Sequence, residues 1–218
     1  MIFLKKNFRD RLITSFFLIL MILLILRSNF VLTYCLILFG TLSVIEFINL
    51  SNKLYKNILL KCFFNFLFIT YVFLFCYIFF FFSNFAQLKM ILFFILFGCI
   101  ASDIGGFTCG KLIKGPKLTK ISPKKTVAGA IGSLIFSSIV LSSIVFYFNK
   151  TISLNIILIG LATSLACQIG DLFFSFLKRK AKIKDTGNIL PGHGGILDRL
   201  DGIFFGLPIG FFIFVLLF

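Results

Sequence analysis

Apolar residues fill long, nearly unbroken runs along this chain, and polar residues collect between them. Seven runs stand out, at 12–26, 30–50, 58–82, 88–103, 127–148, 154–174 and 202–218. A helix that crosses a bilayer takes roughly 20 apolar residues. These runs are apolar all round rather than along one stripe, which is what a lipid surround demands. The pattern predicts an all-α, polytopic integral membrane protein with about seven transmembrane helices. The first run follows a basic tail, as a signal peptide would. It lacks a small-residue cleavage site and leads straight into another apolar run, so it is expected to remain as a helix.

The polar residues between the runs are strongly biased in charge. The 218-residue chain carries 22 Lys and Arg against 7 Asp and Glu, a formal net charge of +15. With the N-terminus inside, only Arg27, Lys89 and Lys150 among the basic residues fall on the outer side. This is a positive-inside bias, and it predicts an N-in, C-out topology. Orientation and attraction to anionic headgroups account for most of the excess, so no nucleic-acid partner is expected. The six cysteines form no C-x-x-C pair. They are read as small packing residues, not as ligands or disulfides. Most of the 34 phenylalanines are read as lipid-facing filler.

The two halves differ in kind. Residues 1–100 hold two acids, Asp10 and Glu46, and two glycines, Gly40 and Gly98. Residues 101–218 hold five acids, fifteen glycines and all four prolines. The first half reads as transmembrane scaffold. The second reads as the catalytic region, with cytosolic loops at 110–126 and 175–201. Small residues recur there at intervals of four: Gly129, Ser133 and Ser137; Ala162, Ala166 and Gly170; Gly202, Gly206 and Gly210. Such stripes let membrane helices approach closely. Two of them run into acids, since Asp171 follows Gly170 and Asp198 lies four before Gly202. Pro208 is expected to kink a last helix of 17 residues.

The candidate chemistry sits almost wholly in the second half. Asp103 ends an apolar run; it reads equally as a group facing a wet cavity and as an interfacial helix end. Asp171 and Ser175 are four apart, and Lys178, Arg179 and Lys182 continue that face if the helix runs on. Asp198 and Asp201 are three apart at the start of the last run, where a helix dipole favours anions. Asp171, Asp198 and Asp201 form an oxygen donor set suited to Mg2+, which also takes phosphate oxygens. One histidine and scattered cysteines give no zinc-like spacing. His193, the chain's single histidine, sits among Gly192, Gly194 and Gly195, whose amides can approach an anion. In the other basic loop, Ser122-Pro123-Lys124-Lys125-Thr126 precedes a helix start. Its lysines suit phosphates, and Thr126 is placed to cap the helix. The sum points to phosphoryl or nucleotidyl transfer to a lipid, driven by charge neutralisation and positioning.

Residues 175–201 read S-x-L-K-R-x4-K-D-x-G-x2-L-P-x-H-G-G-I-x-D-R-L-D. At these positions the chain resembles the phosphatidate cytidylyltransferases, also called CDP-diacylglycerol synthases. Gly170-Asp171-Leu172, Ser122 to Thr126, Asp103 to Gly110 and, more weakly, Glu46-Phe47 are similar to further elements of that family. The resemblance implies a reaction in which phosphatidate attacks the α-phosphorus of CTP, giving CDP-diacylglycerol and pyrophosphate. It implies Mg2+ at Asp171, Asp198 and Asp201, with K+ beside it. It implies phosphate-holding roles for Lys124, Lys125, Lys178 and Arg179. His193 would orient phosphate or carry protons. Ser122, Thr126, Ser175, Lys184, Asp185, Gly194, Gly195, Arg199 and Asp103 are expected around the nucleotide. A homodimer in the inner membrane with a cytoplasm-facing site is implied as well.

Three elements depart from the family pattern. Val127-Ala128 stand where Trp-Glu is usual, Phe174 where glutamate is usual, and Gly202 where serine is common. A CTP-dependent polyprenol kinase, a transporter and a non-catalytic membrane scaffold are the alternatives. Release of CDP, flux without CTP turnover, and absence of turnover would mark them in that order.

Overall fold

The computed structural model describes residues 20–119, 122–151, 153–187, 189 and 194–218. Six long helices account for most of them: α1 (Asn29–Leu54), α2 (Ile58–Ser83), α3 (Ala86–Leu112), α4 (Val127–Asn149), α5 (Leu154–Lys180) and α6 (Leu197–Leu217). Each is long and apolar enough to cross a membrane. Residues 20–27 are also helical, and most of the predicted span 12–26 lies outside the described residues. The chain is a helical integral membrane protein, as its apolar runs predict.

The helices form two compact units. The first joins Met1–Phe85 to Leu177–Arg199. Within it, α1 packs on α2, and Leu32, Phe47, Leu50, Phe68 and Val72 are buried. The rings of Phe47 and Phe68 stack with centroids 3.9 Å apart. A side chain at Gly40 would meet Cys76 Sγ at 3.1 Å, so this position lets α1 and α2 close on each other. The second unit joins Ala86–Phe176 to Leu200–Phe218. Its buried residues include Leu92, Ile95, Cys99, Cys167, Phe204 and Leu207, with Leu141, Ile156 and Ile159 in a further cluster.

Three helix ends differ from the sequence expectation, each for a physical reason. The third long run is expected to stop at Asp103, yet α3 continues to Leu112. Its extension, Ile104-Gly105-Gly106-Phe107-Thr108-Cys109-Gly110, is poor helix material in isolation. Here the glycines are the contact face with α4. A Cβ on Gly105 would come 2.6 Å from Gly132 O, and one on Gly106 would come 2.6 Å from Ser133 Oγ. Close backbone packing thus outweighs glycine's weak propensity. Asp103 therefore lies inside a helix, on an exposed face, and is not a helix end.

Helix α5 runs on to Lys180, beyond its apolar run. It then closes with Lys182 in the left-handed region at φ 57°. Lys182 N donates to Arg179 O at 3.0 Å and Ile183 N to Lys178 O at 3.0 Å. That pair of bonds is the Schellman closure, here built on lysine where glycine is usual. The closure takes Lys182 off the α5 face that also carries Lys178. Helix α6 begins at Leu197, five residues before its apolar run, and spans 21 residues rather than 17. It continues through Pro208.

The small-residue stripes are contact faces, with one shift of register. A side chain on Gly210 would meet Thr163, and one on Gly206 would meet Cys167 Sγ. The α5 face towards α6 is thus Thr163, Cys167 and Gly170, not Ala162, Ala166 and Gly170. All six cysteines are free, and Cys35, Cys99 and Cys167 are buried as packing residues.

Candidate functional site

The first unit holds a closed polar cluster at the start of α6. Asp198 sits in the first turn of that helix. Its Oδ1 accepts from Lys178 Nζ at 2.7 Å. Its Oδ2 accepts from Thr186 N at 2.8 Å and Gly195 N at 3.1 Å. The Lys178 and Asp198 side chains are only 11% and 8% exposed. Lys178 reaches inward because it lies one turn before the α5 closure, whereas its neighbour Arg179 points out and donates to Ile183 O at 3.4 Å. Gly194 has φ +83°, which L side chains rarely adopt. A Cβ there would also stand 3.2 Å from Asp198 Oδ2.

Glu46 completes this cluster from α1, at 2% exposure. Its Oε1 accepts from Ile196 N at 3.0 Å and its Oε2 from Leu197 N at 2.9 Å. Oε2 also accepts from the Thr186 hydroxyl at 2.8 Å. The first amides of a helix have no partner within it. Glu46 therefore caps α6 from another helix, where the dipole favours a negative group. Glycine is needed at 187 and 195 to admit it. A Cβ on Gly187 would lie 2.5 Å from Glu46 Oε1, and one on Gly195 would collide with Oε2 and the Thr186 hydroxyl. The anions that meet the amides of Gly195, Ile196 and Leu197 are thus the protein's own carboxylates.

Glu46 enters the sequence reading as one of two acids in the first half and through a weak family likeness, without a role. One signal was available. It is the sole acid between Asp10 and Asp103, and it sits in an apolar run. An ionisable residue at such a place is costly and marks a site by default. Its partners lie 140 to 151 residues away, a distance that local spacing does not register.

The second unit holds a more open cluster. Ahead of α4, Lys117 and Thr126 form an isolated antiparallel bridge. Leu118 N donates to Lys125 O at 2.8 Å, and Val127 N to Pro116 O at 3.0 Å. This delivers Thr126 to the N-cap of α4, where its Oγ1 accepts from Gly129 N at 3.1 Å. The expected cap is formed. It also delivers Lys125, whose Nζ donates to Asp171 Oδ2 at 3.0 Å. These side chains are 30% and 26% exposed. Ser122 and Lys124 sit in the same turn, which Lys125 N closes by donating to Ser122 O at 3.0 Å. Asp171 and the buried Asp201 both lie against Gly202. Gly202 N donates to Asp201 Oδ1 at 3.0 Å, and a Cβ on Gly202 would stand 3.3 Å from Asp171 Oδ1. A serine in place of Gly202 would press on that carboxylate.

The other candidates are dispersed. Lys184, Asp185 and Arg199 are exposed in the first unit, and Ser175 is half-buried in the second. His193 lies outside the described residues. Phe174, where the resembling family has glutamate, is buried to 2% exposure in an edge contact with Phe205, ring centroids 6.4 Å apart. Ala128 is in the first turn of α4 and half-buried.

Among the described residues, no group of three or more histidine, cysteine or carboxylate side chains gathers closely enough to hold a metal ion. Asp171 and Asp201 are the carboxylates that share one backbone point. Two carboxylates suit Mg2+ when substrate phosphates supply further oxygens. The donor set therefore fits an ion that arrives with a triphosphate. Asp198 already serves three donors.

The sequence profile of the cytidylyltransferase family matches residues 3–218 of the chain. A phosphatidate cytidylyltransferase of Rickettsia bellii is 46% identical over 130 residues, 54% of this chain and 55% of that protein. One from Staphylococcus haemolyticus is 48% identical over 112 residues, 50% of this chain and 42% of that protein. One from Helicobacter pylori is 42% identical over 107 residues, 49% and 40% respectively. The chain thus spans about half the length of these relatives, or somewhat less.

Proposed function

Since this chain belongs to the cytidylyltransferase family, we propose that it transfers the cytidylyl group of CTP to phosphatidate in the cell membrane, from the cytoplasmic side. A phosphate oxygen of the lipid bonds to the α-phosphorus of CTP. The bond from that phosphorus to the β-phosphate bridge breaks, and pyrophosphate leaves. The lipid phosphate is already anionic near neutral pH, so positioning and charge neutralisation are the main tasks.

The observation that carries this proposal is the half-exposed Lys125–Asp171 pair at the capped start of α4. A cation in water's reach can exchange its carboxylate partner for a phosphate at small cost. Lys124 and Lys125 would then hold the triphosphate. Asp171 and Asp201 would hold Mg2+, which neutralises the phosphate oxygens when bound. Asp198, with its oxygens engaged, is assigned to fix Lys178. Lys178, buried with it, is assigned to hold the end of α5 against the start of α6. The positive-inside bias of the basic loops supports a cytoplasmic-side site, and a homodimer is proposed by family likeness.

The test is direct. Purified full-length chain in phosphatidate-containing micelles, given labelled CTP and Mg2+, should release pyrophosphate and form CDP-diacylglycerol. A folded preparation that forms none would end the proposal. Release of CDP with a phosphorylated polyprenol would identify a lipid kinase instead.

A further inference from the structure

Glu46 lies in the half of the chain that reads as scaffold, and its surroundings suggest more than packing. A nearly inaccessible carboxylate in an apolar helix is expensive unless its oxygens are met. Three donors meet it, and all come from the 186–197 segment: the Thr186 hydroxyl, Ile196 N and Leu197 N. Two glycines, Gly187 and Gly195, have their missing side chains spent on letting it in.

From there a chain of hydrogen bonds continues. Thr186 gives its hydroxyl to Glu46 Oε2 at 2.8 Å and its N–H to Asp198 Oδ2 at 2.8 Å. Asp198 gives Oδ1 to Lys178 Nζ at 2.7 Å. Thr186 is therefore held at both ends, by a carboxylate from α1 and by one from α6. Leu197 immediately precedes Asp198, so the amide bonds to Glu46 also fix where α6 starts. Moving Glu46 would move Thr186 and the first turn of α6, and with them Asp198 and the ammonium it holds.

We propose that Glu46 is a positioning residue: its carboxylate latches Thr186 and the first amides of α6, and so sets the Lys178–Asp198 pair for the transfer reaction. This rests on the proposed cytidylyl transfer. Both Glu46 oxygens are taken up by Thr186, Ile196 and Leu197, so its part is to hold these groups and not to bind substrate or metal. Its effect should appear in turnover more than in substrate affinity.

Glu46→Gln keeps the shape but turns an amide N–H towards existing donors. Thr186→Val removes only the hydroxyl link and leaves the backbone bonds. The full chain is assayed in micelles for kcat, for KM of CTP and phosphatidate, and for amide exchange over 194–198 by mass spectrometry. Glu46→Gln should lower kcat by about tenfold or more with both KM values within about twofold. It should also speed exchange at the amides of Ile196 and Leu197. Thr186→Val should lower kcat about threefold, and the double variant should be no worse than Glu46→Gln alone, since both act on one link. A folded Glu46→Gln protein with unchanged kcat, or with unchanged exchange, overturns the proposal. So does a double variant whose losses multiply. If Glu46→Gln does not fold, Thr186→Val decides: unchanged kcat there overturns the latch. If the unmodified chain makes no CDP-diacylglycerol, the proposed function fails, and the exchange measurement still decides whether Glu46 holds the segment.

Discussion

Two lysine–aspartate pairs among the described residues are built for different tasks. Lys178 and Asp198 meet at 2.7 Å with side chains 11% and 8% exposed. Asp198 also takes the N–H groups of Thr186 and Gly195, and Glu46 braces the same segment. Lys125 and Asp171 meet at 3.0 Å with side chains 30% and 26% exposed. Among the described residues, that pair is the one hydrogen bond Asp171 makes. Two charges taken out of water must keep each other, because separating them leaves an uncompensated ion. Two charges at the surface gain little from pairing and can change partners. The buried pair therefore fixes geometry. The open pair is the place where phosphate and a divalent ion can enter.

The strongest way to break this contrast is to remove the buried cation. Lys178→Ala should destabilise the protein by about 3–5 kcal/mol, because Asp198 is left buried and charged. The thermal unfolding midpoint in micelles would fall by many degrees. Lys178→Met combined with Asp198→Asn should recover part of that loss, since no lone charge remains. If Lys178→Ala unfolds at the temperature of the unmodified chain, the pair is not buried in solution and the contrast collapses.

How legible each region is in the sequence follows the same division. The members of the open pair, though not their contact across 46 residues, could be anticipated from local spacing. Ser122 to Thr126 precedes an apolar run, Thr126 suits an N-cap, and Asp171 adjoins a small-residue stripe. Every one of those signals acts over a few residues. The helices were legible for the same reason, since lipid demands apolar residues run by run. The closed cluster was not, because its key contact joins residues 46 and 196–197. Local propensity also misleads at Gly105 and Gly106. They look like a helix stop and serve as a helix–helix contact, which only the partner α4 reveals. Phe174 shows a third kind of difference. Its burial beside Phe205 leaves an apolar site where the family pattern has an acid, so Phe174→Glu should destabilise the chain and not restore a ligand.

Two smaller changes sharpen the open side. Gly170→Ala would push a Cβ to 2.5 Å from Asp201 O, a backbone atom of α6 that has little room to shift. A loss of about 1–3 kcal/mol is expected, as for other overpacked contacts. CTP turnover should fall with it, because Gly170 adjoins Asp171 and its contact is with Asp201. Thr126→Ala removes the cap on Gly129 N and should cost about 1 kcal/mol. Its KM for CTP should rise modestly, since Lys125 is carried by the same turn. A Thr126→Ser variant, which keeps the oxygen, should behave as the unmodified chain.

The smallest expected effect on stability is the most telling. Lys125→Met removes the ammonium from Asp171 but keeps the length of the side chain. The Asp171 side chain is 26% exposed, and an ion pair in water's reach contributes little, so the unfolding free energy should change by less than about 1 kcal/mol. The proposed role of Lys125 as a phosphate holder predicts a different response in catalysis, with KM for CTP rising about tenfold or more. KM for phosphatidate should move less. Lys178→Ala and Lys125→Met would then be opposites: one a stability defect that abolishes activity by unfolding, the other a binding defect in a folded protein. A Lys125→Met protein as unstable as Lys178→Ala would mean that the exposed pair is structural after all. One with unchanged KM for CTP would move the triphosphate away from α4, and Lys124 would be the next cation to remove.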